Sequence, residues 1–158
     1  MEEIMLKDKI VVITGGAGLI VKELVKDIVE SNGIAIIADI NEDFANKTIE
    51  RISKELEEKN CDISSKILFF NLDISSKNSI ESLIKTLNKK FGKIDALVNN
   101  AYPRSRNYGK KFFEIEMEDF NEFLNLHLGG YFNISQHFIK YFLEQKYGNI
   151  VNISSIQG

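Results

Sequence analysis

Residues 13–21 read ITGGAGLIV, and this stretch decides the fold. Just before it, KIVVIT (9–14) is a short β-branched run. Just after it, Leu24, Val25 and Ile28 recur on one face of a helical pattern that extends from Leu19 to about Ser31. A strand that turns at once into a helix needs backbone freedom, which glycine supplies. Within the turn, Gly16-Ala17-Gly18-Leu19-Ile20-Val21 fits G-x-G-x-x-G except at its last position, where Val21 adds bulk between helix and strand. Such a turn lets a pyrophosphate approach the backbone without meeting a Cβ and offers it the free N–H groups and positive end of a helix. On its own the pattern equally describes a plain strand-to-helix turn.

The alternation continues outward. IAIIAD (34–39) is strand-like. NEDFANKTIERISKELEEK (41–59) opens on a capping Asn and acids, with helical spacing through Phe44, Ile49, Ile52 and Leu56. KILFFNLD (66–73) is a third strand, and Ser75 or Ser76 can cap a helix to about Phe91. IDALVNN (94–100) is a fourth strand, and NIVNIS (149–154) a fifth. Strands alternating with helices predict an α/β fold, a parallel sheet covered on both faces. Near-continuous apolar strands agree with that burial.

This context gives the glycine turn its meaning. Asp39 ends the second strand about twenty residues after Gly18, where a carboxylate can accept hydrogen bonds from an adenosine ribose. No Lys or Arg lies in the turn or beside Asp39, so a 2′-phosphate would meet an uncompensated negative charge. NAD is therefore expected over NADP. The alternative for Asp39 is a helix-capping or solvated acid.

Composition sets the outer limits. The 158 residues are 44% hydrophobic and 27% charged, with a net charge of -3. That is one domain's worth of globular chain with no global basic field for nucleic acid or an anionic membrane. The one cysteine, Cys61, excludes an internal disulfide and a multi-cysteine metal site, and it reads as a reduced thiol in a polar stretch. The charged opening MEEIMLKDK is no signal peptide, and no apolar run approaches the roughly 18 residues of a membrane span. A cytoplasmic location is the default.

A long helix is expected over 117–146. Phe120, Phe123, Leu124, Leu128, Phe132, Ile134, Phe138, Ile139 and Phe142 occupy more than one of its faces. A helix apolar nearly all round is covered on more than one side. The sheet covers one; further chain or a second subunit is expected on the other, giving a homo-oligomer in the full-length form. The loop YPRSRNYGKK (102–111) carries Arg104, Arg106, Lys110 and Lys111. It reads as a solvated basic loop, or as one that meets a carboxylate or phosphate on a sugar.

Together TGGAGLI, NLDIS, LVNNA and GNIVNISS, in this order from residue 9 to 158, resemble the short-chain dehydrogenase/reductase family. The wording around VNNAYPR, NYG, FF and LHLGGYF is similar to a bacterial subgroup linked to flagellin and surface-sugar modification. The resemblance implies a Rossmann-type doubly wound sheet and an NAD(P)-dependent oxidoreductase acting on a hydroxyl or carbonyl of a small molecule. It places Gly15, Gly18, Leu19 and Ile20 along the pyrophosphate and Asp39 on the ribose. Asp73 and Ile74 would contact adenine, and Asn99, Asn100 and Ala101 would shape the cofactor floor. The family usually continues that last motif with Gly; Tyr102 stands here and brings a side chain to the site mouth.

Ser155 matches the family's catalytic serine, which hydrogen-bonds the reacting oxygen. His127, in HLGGYF, stands where the family carries a helix Asn. It either holds a water or relays a proton, or is a packed helix histidine. His137 has no such match and reads as a surface residue. The family's Y-x-x-x-K pair follows the serine by about a dozen residues in the resemblance, beyond residue 158. The chain is thus expected to be the N-terminal portion of a longer enzyme, a single domain over 1–158 truncated after its fifth strand and inactive alone. Two other readings remain: a non-catalytic nucleotide- or partner-binding fragment, and a Rossmann methyltransferase.

Overall fold

The computed structural model describes residues 5–16, 18–57 and 66–155; of Leu19 it describes only the backbone. Cys61 lies outside the described residues. Five parallel strands, β1 (Ile10–Thr14), β2 (Ile34–Asp39), β3 (Ile67–Asn71), β4 (Ala96–Asn99) and β5 (Asn149–Asn152), form one sheet in the order β3-β2-β1-β4-β5. Helix α1 (Leu19–Glu30) follows β1, α2 (Glu42–Glu57) follows β2, and α3 (Lys77–Phe91) follows β3. Between β4 and β5 run α4 (Met117–Leu124), one π-helical turn (Asn125–Gly129) and α5 (Gly130–Gln145).

The period of two along each strand divides the core. Val11, Ile13, Ala35 and Ile37 point to one face and pack with Val21, Val25 and Ile28 of α1 and Ala45, Ile52 and Leu56 of α2. Ile10, Val12, Ile36 and Ala38 point to the other and meet Ile80, Leu83 and Leu87 of α3 and Ile134, Phe138 and Phe142 of α5. Val21, the departure from the glycine pattern, is wholly buried in the first of these clusters. Its bulk is absorbed by apolar neighbours.

Central β1 and β2 are buried as their apolar runs require, while β5, at the sheet edge, is largely exposed, with Val151 48% accessible. Local chemistry sets the helix ends. The Asn41 side chain accepts the Phe44 N–H at 3.0 Å, and the Ser76 hydroxyl accepts the Ser79 N–H at 3.4 Å. Gly92 closes α3 at φ 73°, a left-handed cap.

The expected long helix is present but not uniform, because it widens to the π-turn just where His127 stands. Gly130 then brings α5 against the segment after β3: a Cβ there would lie 2.7 Å from Ile74 Cδ1. Asn133 Nδ2 donates to the Ile74 carbonyl at 3.0 Å and fixes that approach. The outer face of α4 and α5 exposes Met117, Phe120, Leu124, Leu128, Phe132, Ile139 and Leu143. His137 departs from its expected surface position. It lies against α3, its Nδ1 donating to the Asn133 carbonyl at 2.7 Å and its Nε2 3.8 Å from Glu81. No helix among the described residues is long and apolar enough to cross a membrane.

Candidate functional site

The strand order reverses between β1 and β4, and ligands of open α/β sheets bind in the crevice beyond the strand ends at such a point. Here the two strand ends are riveted together. Thr14 Oγ1 accepts the N–H groups of Asn100 at 3.0 Å and Ala101 at 3.1 Å. Asn100 Nδ2 in turn donates to the carbonyl of Thr14 at 3.2 Å. Gly15 has φ +76°, and a Cβ on it would stand 2.6 Å from the Ala101 Cα. Both facts demand glycine.

Gly16 is constrained from the other side, since its Cβ would fall 2.0 Å from Ile37 Cγ2. Gly18 differs from both. It is the N-cap of α1, gives that helix no side-chain cap, and a Cβ there would meet nothing within 4 Å. Gly18 thus has open space at its Cα, at the start of a helix whose first-turn N–H groups have no intrahelical acceptor.

Above the strand ends lies a cavity of about 330 Å³. Gly15, Asp39, Asp73, Ile74 and Ala101 line it, joined by Tyr102 and Arg104 from the loop after β4. Asp39 Oδ1 accepts the Asn41 N–H at 2.8 Å, which orients the carboxylate at the end of β2. Asp73 Oδ1 accepts both the N–H and the hydroxyl of Ser75, at 2.8 and 2.6 Å, in a tight Asx turn. The residues thus fit a dinucleotide. A carboxylate stands at the second strand end, bare backbone at the first, and a turn after the third.

Other expected cofactor residues lie elsewhere. Ile20 is 55% exposed on α1, and the Leu19 side chain is outside the description. Asn100 holds the floor together through Thr14 without lining the cavity. Asn99 is fully buried behind it, donating through Nδ2 to Ser135 Oγ and Asn152 Oδ1, each at 2.9 Å, while its Oδ1 has no partner among the described residues. Asn99 therefore ties β4 to α5 and β5.

Of the two expected catalytic residues, Ser155 is exposed just beyond β5. The β4–β5 ladder carries on to Ile153, whose N–H donates to the Asn99 carbonyl at 2.9 Å. His127 lies in the π-turn between two rings, 4.4 Å from the Tyr102 centroid and 4.2 Å from that of Phe123. Burial pushes its imidazole below its ordinary value, opposed by a bond to the Pro103 carbonyl, and its Nε2 is buried without a partner among the described residues.

In the sequence Arg104 is one of four loop cations and Thr14 only the residue before the glycines. Only the three-dimensional pairing separates the cation that faces the cavity from its neighbours. The dipeptide Gly129-Gly130 was the available signal for the close approach of α5 to Ile74.

Residues 9–158 match the family model described as short chain dehydrogenase. The chain is 43% identical over 155 residues to post-translational flagellin modification protein A of Campylobacter coli, covering 98% of this chain and 58% of that protein. It is 28% identical over 153 residues to a 3-oxoacyl-(acyl-carrier-protein) reductase of Thermotoga maritima, covering 97% of this chain and 58% of the relative. The chain thus spans somewhat more than half the length of these relatives. Among solved structures, a short-chain type dehydrogenase/reductase from Mycobacterium marinum superposes with a TM-score of 0.82 at 20% identity, covering 98% of this chain and 59% of the other. An NAD⁺-bound xylitol dehydrogenase does so with a TM-score of 0.77 at 23% identity, covering 98% and 55%.

Proposed function

The chain belongs to the short-chain dehydrogenase/reductase family, and from that premise we propose that it is the dinucleotide-binding part of an oxidoreductase acting on a hydroxyl or carbonyl. The observation that carries this reading is the cavity at the β1/β4 switch point, which joins Gly15, Asp39, Asp73 and Ala101. A bound nicotinamide dinucleotide would supply the hydride chemistry; the protein binds it, orients it and moves protons. Asp39 would hold the ribose and favour NAD over NADP. The open backbone at Gly18 would face the phosphates.

Ser155, just past the end of β5, would hydrogen-bond the reacting oxygen. His127 would act through Tyr102 at the site mouth, where a neutral imidazole can hold a water or pass a proton. No Tyr among the 158 residues stands four before a Lys, and the 158 residues alone would therefore show no turnover. The substrate we propose is a sugar or sugar nucleotide and the location the cytoplasm; the relative's name says only that it serves post-translational modification of flagellin. The apolar outer face of α4 and α5 would pack against a second copy; light scattering on the intact protein and on Leu128→Asp tests this, a dimer being expected only without the substitution.

The second reading is a non-catalytic nucleotide-binding role, which the same cavity would serve. Calorimetric titration with NAD⁺ and with S-adenosylmethionine, followed by assays of NADH change across a sugar and alcohol panel, separates the readings. NAD⁺ binding and turnover in a longer form are expected. Binding of S-adenosylmethionine alone would overturn the oxidoreductase assignment.

A further inference from the structure

We infer that Arg104 is an anion clamp at the mouth of the cavity, gripping the phosphate oxygens of the dinucleotide from the β4 side. The inference rests on the dinucleotide reading above and adds to it a residue outside the glycine turn.

The loop's basic side chains have separate fates. Arg106 Nε lies 3.4 Å from Glu122, and Lys110 Nζ lies 2.7 Å from Asp119, so both are committed to carboxylates of α4. Arg104 has no carboxylate partner among the described residues. Its guanidinium carbon sits 5.4 Å from the Tyr108 ring centroid, and the side chain lines the cavity. A guanidinium stacked on a ring keeps its plane fixed and its N–H edges free, the geometry that takes two oxygens of one phosphate.

The stack is itself anchored. The Tyr108 ring meets Tyr102 edge-on at 6.2 Å, Tyr102 meets His127 at 4.4 Å, and His127 meets Phe123 at 4.2 Å. A run of rings thus connects the π-turn to Arg104 and positions it before any ligand arrives.

Sheet order says which oxygens it reaches. β1, with its glycine turn, lies between β2, which carries Asp39, and β4, which leads to Arg104. A dinucleotide with its ribose on Asp39 passes its phosphates over β1 toward that loop. Charge requires a cation there. The other charged residues lining the cavity are the acids Asp39 and Asp73, and a helix terminus offers only about half a positive charge. A carboxylate or phosphate on the substrate presents the same oxygens, so the test separates the two sources.

The experiment titrates ADP, adenosine and NAD⁺ into the purified protein and into Arg104→Gln, Arg104→Lys and Tyr108→Ala, with circular dichroism to verify folding. Arg104→Gln is expected to weaken ADP and NAD⁺ by about tenfold while adenosine changes less than about twofold. Arg104→Lys should recover part of the loss, because it keeps the charge and loses the fork. Tyr108→Ala, which leaves the charge in place, should show a smaller loss. ADP binding equal in the unaltered and Arg104→Gln proteins overturns the inference, and a raised KM for an anionic substrate in a longer form that turns over would move Arg104 to the substrate. If the unaltered protein binds neither ADP nor NAD⁺, the dinucleotide reading falls and the clamp with it.

Discussion

The Thr14 hydroxyl accepts the backbone N–H of Asn100 at 3.0 Å, joining residues at the ends of two strands that are far apart in the chain. With the Ala101 N–H at 3.1 Å on the same oxygen, this contact holds open the crevice in which the cofactor is proposed to lie. Thr14 is fully buried, so Thr14→Val would leave two backbone donors without an acceptor. A loss of about 1–3 kcal/mol in urea unfolding is expected. An unchanged midpoint would show that water replaces the hydroxyl.

Gly15 and Gly18 should respond differently to the same change. Gly15→Ala meets a positive φ and a backbone atom at 2.6 Å, and should cost more than about 1 kcal/mol of stability. Gly18→Ala meets open space and should fold nearly as well, yet weaken NAD⁺ if, as proposed, phosphate approaches the backbone there. Thermal melts paired with calorimetry test both arms. Intact NAD⁺ affinity in Gly18→Ala would remove Gly18 from the site.

Asp39 sets the expected cofactor choice. NAD⁺ should bind at least about tenfold more tightly than NADP⁺, because a charge clash there readily exceeds about 1.4 kcal/mol. Asp39→Ala should narrow the gap. Equal affinities in the unaltered protein would refute the ribose assignment.

His127 predicts a pH effect. Its folded value is depressed by burial, so the unfolded chain takes up the proton first as pH falls. Stability should drop as pH falls from about 7 through the unfolded value near 6.5, where the usual imidazole titrates. His127→Phe should flatten that part of a melting curve measured against pH. In a full-length form, lowered turnover per folded molecule would support the relay, while unchanged turnover with an altered melt would assign the ring to packing.

Asp119 predicts a second, more acidic effect. Lys110, then Asn107, then the Glu116 N–H hold its carboxyl down at about 2. Because this lies below the unfolded value, the contribution is complete above about pH 4 and disappears as pH falls through 2. Relative to the intrinsic exchange rate at each pH, amides of residues 105–111 should be less protected at pH 2 than at pH 5, and in Asp119→Asn poorly protected at both. Equal protection would show that the loop is held by its rings.

The sequence by itself determined the order and type of the elements, close to their observed bounds. Apolar runs such as IVVIT and IAIIAD and caps such as Asn41 act over a few residues, and the chain states them locally. The glycine turn and Asp39 were legible for the same reason, since each is tied to a strand end. What only the tertiary structure decided was which side chains share the cavity. Asn99 and Asn100 are neighbours in one motif, yet one turns to Ser135 and Asn152 and the other to Thr14. Arg104 and Arg106 are two residues apart, yet one faces the cavity and the other pairs with Glu122. These fates depend on contacts between residues far apart in the chain, set by sheet order and by the π-turn, and no local pattern records them.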